Sequence, residues 1–108
     1  MAYDEKLDVR VVELTADWNL TRKKMFGGIC YLLNGNMLCG VYKEYVILRL
    51  GDQLAVDKAM EKPHVKPFDI TGRAMSGWVM VAEEGCKGQL LKQWLLKART
   101  FVDTLPVK

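Results

Sequence analysis

Residues 28–42 read GICYLLNGNMLCGVY. Two apolar runs rich in β-formers flank Asn34-Gly35. That dipeptide is the strongest short hairpin signal, because a type I′ turn needs positive φ at both central positions. A two-residue turn there would set Leu32 opposite Met37 and Cys30 opposite Cys39. YVILRL follows at 45–50 after Lys43-Glu44, a second tight connection, which would set Cys39 opposite Leu48 and Val41 opposite Val46. The stretch therefore predicts a three-stranded antiparallel meander.

Side chains opposite each other share a face. In this register one face collects Cys30, Leu32, Met37, Cys39, Val41, Val46, Leu48 and Leu50. It is wholly apolar and is the predicted core. The other collects Ile29, Tyr31, Leu38, Gly40, Tyr42, Tyr45, Ile47 and Arg49. A slip of one residue would mix the two sets. A face with three tyrosines and an arginine suits a half-covered second layer. It also suits a surface for a partner subunit or flat ligand, since Tyr and Arg dominate such contacts.

Upstream stands TRKKMFGG at 21–28. The cations Arg22, Lys23 and Lys24 beside two glycines could form an anion-binding nest. They could equally be a charged edge strand running into a glycine bulge or corner. The glycines lead into a strand and not into a helix N-terminus, so phosphate-loop geometry is missing and the second reading is preferred. Residues 4–16 read as a helix, with Leu7, Val11, Leu14 and Trp18 at helical spacing, Asp4 as N-cap and Asn19 as breaker. Downstream, 52–61 reads as a short helix after Gly51-Asp52, and Pro63 and Pro67 enclose a loop. PFDIT and GWVMVA read as a further strand pair. Residues 87–104 form a long amphipathic helix, with Leu91, Trp94, Leu95, Ala98, Phe101, Val102 and Leu105 in one stripe and Pro106 after it.

The chain has 108 residues, a net charge of +3, 50% apolar and 27% charged residues. That length reads as a single domain, 1–108, with a substantial core. The charge is too mild to argue for a dedicated nucleic-acid binder. It is uneven, however: Asp4, Glu5, Asp8, Glu13 and Asp17 crowd the first twenty residues, whereas Lys87, Lys92, Lys97, Arg99 and Lys108 face only Asp103 at the other end. With no apolar leader and no membrane-length run, the expected location is the cytoplasm.

Chemistry-bearing residues are sparse. The three cysteines include no C-x-x-C pair. Cys30 and Cys39, as cross-strand neighbours, would be either a redox pair or two buried thiols. Cys86 stands at a helix start, where the dipole could lower its pKa. His64 is the only histidine and sits in a loop. Glu83-Glu84 reads as a solvated pair. No Walker loop, G-x-G-x-x-G or zinc spacing is present. The expectation is no catalytic residue, no cofactor and no metal site.

RKKMFGGICYLLNGNMLCGVYKEYVILRL, followed by PFDITGRAMSGWVMV and a long C-terminal helix, resembles the N-terminal domain of the TfoX/Sxy proteins. The most specific parts are the signature Lys24, Met25, Phe26, Gly27 and Gly28, the Gly35/Met37 turn, the strand ending at Arg49, and Phe68. The resemblance implies a bacterial, cytoplasmic α+β domain: a curved antiparallel sheet with flanking helices, similar to secretion-chaperone folds, in the order α-β-β-β-β-α-β-β-α. It implies a link to regulation of natural competence, where full-length members act with a transcription activator and carry a second, C-terminal domain. This chain ends at Lys108, so the expectation is a stand-alone N-terminal domain.

The leading reading of function is a non-enzymatic regulatory module that binds protein, with transcription machinery and a second copy of the chain as candidate partners. Its candidate contact residues are Arg22, Lys23, Lys24, Tyr31, Tyr42, Tyr45 and Arg49. The alternatives are a nucleic-acid contact through Arg22 to Lys24 and the basic terminal helix, and an enzyme or small-ligand binder using Cys39, Cys86 or His64. A homodimer is expected because a long helix plus an aromatic sheet face offers more apolar surface than a small domain covers.

Overall fold

Asn34 and Gly35 both take positive φ, 53° and 84°, and Leu33 pairs with Asn36 across them. The hairpin at the centre of the fold is thus closed by its turn chemistry. The computed structural model describes residues 3–25, 27–69 and 76–107. Its elements are α1 (Glu5–Leu14), β1 (Thr21–Met25), β2 (Gly28–Leu33), β3 (Asn36–Tyr42), β4 (Tyr45–Arg49), α2 (Gln53–Met60), β5 (Val65–Pro67), β6 (Trp78–Ala82) and α3 (Leu90–Val102). Short 3₁₀ turns lie at Ala16–Trp18 and Glu83–Cys86. The order is the expected α-β-β-β-β-α-β-β-α, and the class is α+β.

All strand pairs are antiparallel, in the spatial order β1-β2-β3-β4-β6-β5. The charged segment 21–25 is an edge strand. Helices are capped as their sequences suggest: Asp4 accepts from the backbone of Lys6 and Leu7, and Asp52 accepts from that of Leu54. The three helices bury their inner stripes against one side of the sheet. Leu7, Val11, Ala59, Leu91, Trp94, Leu95, Ala98 and Val102 pack with Val41, Val46, Leu48, Val79 and Val81 in a single core.

Two expectations are corrected. PFDIT is not where the fifth strand lies: β5 is Val65–Pro67, inside the stretch read as a loop, and Ile70 and Thr71 fall outside the described residues. The Lys43-Glu44 turn keeps its register, with Tyr42 opposite Tyr45 and Cys39 opposite Leu48. The β2–β3 register holds only near its turn. Leu32 faces Met37, but Tyr31 then faces Cys39 and Cys30 faces Gly40, so Leu38 is an extra residue on β3. This is a β-bulge, two residues opposing one. It exchanges the faces of β2. Ile29, Tyr31 and Leu33 point into the helix-covered core together with Leu38, whereas Met37 moves to the other side.

Candidate functional site

The bulge separates the seven candidate contact residues into two groups. Arg22, on β1 opposite Tyr31, belongs to the helix side. Its guanidinium donates to the Asp8 carboxylate, through Nε at 3.3 Å and through Nη2, and the Tyr31 hydroxyl donates to the same carboxylate. Asp8 is 6% and Tyr31 2% exposed. The Asp8 hydrogen bond raises the Arg22 pKa. Burial and then the bond to Asp8 raise that of Tyr31. Tyr31 therefore leaves the tyrosine face expected for it, and this triad ties α1 to the edge of the sheet. Asp8 carried a legible signal: an acid between Leu7 and Val11, on the buried stripe of a helix, needs a partner.

The three cations do not converge. Lys23 faces Cys30 and Lys24 faces Ile29 across the β1–β2 ladder, so the two exposed lysines point to opposite sides of the edge strand. In the family signature, Met25 pairs with Gly28 and is half-buried, Gly27 has a φ of 76° that suits glycine, and Phe26 lies outside the described residues.

Tyr42, Tyr45 and Arg49 do share the outer face. Its centre is closed: Ile47, Phe68 and Trp78 form a second small core with Met37, Tyr42 and Met80 packed against it. Phe68 is 0% exposed and meets Tyr42 edge-on at 6.2 Å and Trp78 at 5.8 Å between ring centroids. The half-buried rim carries cations seated on rings. Lys43 Nζ stands 5.4 Å from the Tyr42 ring and Lys66 Nζ 5.3 Å from that of Tyr45, whose hydroxyl accepts a hydrogen bond from Lys66 at 3.2 Å. Arg49 lies opposite Trp78, with its guanidinium carbon 5.8 Å from the Trp78 and Phe101 rings, and Nη1 donates to the Met37 carbonyl. Each such cation–ring contact contributes roughly 0.5–1 kcal/mol at exposed sites. The outer face is thus a covered aromatic centre inside a pre-ordered Tyr/Arg/Lys rim. Trp78 and Lys66 were missed in the sequence, because the β4–β6 and β5–β6 pairings that bring them here are long-range, whereas Lys43 was missed although it stacks on Tyr42, its neighbour in the chain.

The two cysteines of the sheet are not brought together. Cys30 sits on the outer side against Gly40, and Cys39 faces Tyr31 and Leu48 on the inner side, so they are not the cross-strand pair expected. All three thiols are free and buried. Burial pushes the Cys30 thiol up to about 11, raises that of Cys39 and pushes Cys86 up to about 12. This reverses the lowering expected for Cys86, which ends a 3₁₀ turn at 0% exposure. His64, with a φ of 71°, has its Nδ1 3.8 Å from the Glu84 carboxylate and lies against Gly85, whose neighbour Cys86 is buried in the core.

These thiols make a prediction. At mildly alkaline pH, alkylation of the folded chain should run roughly a hundredfold slower than in denaturant, because the thiolate is the nucleophile and each pKa unit is a factor of ten. Stability should follow the same groups. Below the ordinary thiol value of 9.0 both states keep their protons and the contribution is fully present. As pH rises past that value the unfolded chain releases protons that the folded chain holds, so stability falls until the folded thiols ionise. Urea titrations from about pH 7.5 to about pH 10.5 check this; a flat profile would contradict it.

No curated protein and no solved structure matches the chain. The model of the TfoX N-terminal domain matches residues 14–101, a span that runs from the end of α1 through nearly all of α3 and takes in the whole sheet. The chain therefore belongs to the TfoX N-terminal domain family, as a module of the competence-regulator type.

Proposed function

We propose that the chain acts as a non-enzymatic regulatory module that binds a protein partner through the outer face of its sheet. The observation that carries this reading is the rim of Tyr42, Tyr45 and Arg49, half-exposed yet held in place. A pre-ordered arginine loses little freedom on binding, and Tyr and Arg anchors concentrate binding energy at protein interfaces. Lys43 and Lys66 give the rim a positive sign, so the matching surface carries acids around an apolar patch. A cytoplasmic partner of the transcription machinery fits the family.

The test uses the wild-type chain as bait for partners, with Arg49→Ala and Tyr45→Ala beside Lys92→Ala on the helix side. The two rim variants should each weaken capture at least about tenfold, a loss of some 1.4 kcal/mol, while Lys92→Ala does not. Retention of every partner by both rim variants would refute this surface.

A further inference from the structure

Val107 apart, the exposed large apolar side chains of the described residues lie on helices: Val9 and Val12 on α1, Leu54 and Met60 on α2, Leu90 and Leu96 on α3. All three helices bury their inner stripes against the same side of the sheet. These residues therefore point away from the sheet, on the side of the molecule opposite the Tyr/Arg rim.

That side also holds a groove. Two hollows of about 330 and 290 Å³ share Lys62, Trp94 and Lys97 as lining and so run together along α3, the first between α3 and the segments 62–64 and 84–85, the second between α3 and α2. The groove extends from Leu90 to Thr100, roughly 15 Å along α3 at 1.5 Å per residue. Its walls are basic: Lys58, Lys62 and Lys97 stand around Ala59 and Trp94. Its one lining acid, Glu84, faces His64.

The complement is on the same chain. α1 has 10 residues and so matches the groove in length. Its solvent stripe carries Glu5, Val9, Val12 and Glu13, all exposed. Of the other charges on α1, Asp8 is held by Arg22 and Tyr31 and Arg10 by the carbonyls of Cys86 and Gly88, whereas exposed Lys6 stands on this same stripe, so that Glu5 and Glu13 leave it net negative by one charge. α3 is the middle helix of the layer: Arg99 stacks on Trp18 beyond α1, and the groove separates α3 from α2. Exposed Leu96, midway along α3, lies between stripe and groove.

We infer that the groove receives α1 of a second copy of this chain, in a twofold dimer joined through the helical layers. An axis near α3 exchanges the two contacts, seating each α1 in the other's groove and bringing the two Leu96 side chains together. Such an isologous contact closes on itself and does not propagate. The apolar line supplies affinity; the lysine and glutamate rims set register, since exposed ion pairs alone contribute little. The dimer leaves the outer sheet face of each copy free, so it stands independently of the partner reading above.

Sedimentation equilibrium on the full chain tests this. A monomer–dimer equilibrium is expected, weakening as salt screens the rims. Leu96→Glu should raise the dimer dissociation constant at least about tenfold, and so should Lys62→Glu with Lys97→Glu. Adding Glu5→Lys and Glu13→Lys to the latter chain should restore the constant to within about threefold of wild type, because the swapped charges meet again only if α1 sits in the groove. Thermal melts confirm that each variant folds, and the charge swap stands by itself if Leu96→Glu does not fold. A monomer at high concentration and low salt would overturn the inference. So would a dimer indifferent to these changes, a swap without rescue, or a monomeric chain whose groove binds an acidic helix of a different protein.

Discussion

Replacing Asp8 by alanine should destabilise the fold by about 3 kcal/mol, and lower the melting temperature by roughly 10–20 °C for a domain of this size. The Asp8 carboxylate accepts from both the Tyr31 hydroxyl and the Arg22 guanidinium while itself nearly inaccessible. Its removal leaves the buried Tyr31 hydroxyl only the longer bond to the backbone carbonyl of residue 8, at 3.3 Å, and leaves Arg22 without its counter-charge. Breaking a fully buried pair costs about 3–5 kcal/mol. The lower end applies here because the Arg22 side chain is 43% exposed and water compensates part of the loss. Tyr31→Phe should cost less, about 1–2 kcal/mol, because the carboxylate keeps Arg22. Arg22→Ala should also cost less than Asp8→Ala, because Tyr31 keeps its acceptor. Urea denaturation of the singles and doubles gives the coupling, which should exceed about 0.5 kcal/mol for each pair with Asp8. Asp8→Ala within 0.5 kcal/mol of wild type would mean that the triad carries no weight.

The second large effect lies at the central hairpin. A Cβ on Gly28 would stand 2.4 Å from the Val41 carbonyl oxygen, and one on Gly40 2.5 Å from that of Ile29. Both obstacles are backbone atoms of paired strands, so no side chain can swing aside. β2 and β3 would have to part where their ladder bonds hold the core together. Gly28→Ala and Gly40→Ala should each cost about 3 kcal/mol or more and lower the yield of folded protein. Calorimetry reads the effect directly; a melting point unchanged within a degree or two would show that the strands accommodate the methyl group. The result bears on the family signature: Gly27 supplies a positive φ and Gly28 a close approach, so the fold itself requires the glycine pair.

Much of the architecture was legible because it is written locally. Asn34-Gly35 dictates its own turn, Asp4 and Asp52 cap the helices that follow them, and the period of α3 survives as its buried stripe. The Lys43-Glu44 register held for the same reason: nothing beyond the turn competes with it. The candidate site was legible in part. Tyr42, Tyr45 and Arg49 were placed on one face correctly, since all lie on or across the well-predicted turn. Tyr31 was not, because the bulge at Leu38 turns β2 over.

That bulge marks the boundary between the two kinds of information. By itself the sequence determined the order of elements, the meander, the amphipathic helices and the family, all of which depend on residues close together in the chain. Only the tertiary structure decided which way β2 faces, which strand β6 inserts beside, and which charges meet. Local alternation permits Cys30 inside and Tyr31 outside. Asp8, fourteen positions before Arg22, is held on the buried side of α1, and burying that carboxylate requires donors from the sheet. Tyr31 and Arg22 supply them only if Leu38 is left over, and glycines at 28 and 40 let the strands approach closely enough for it.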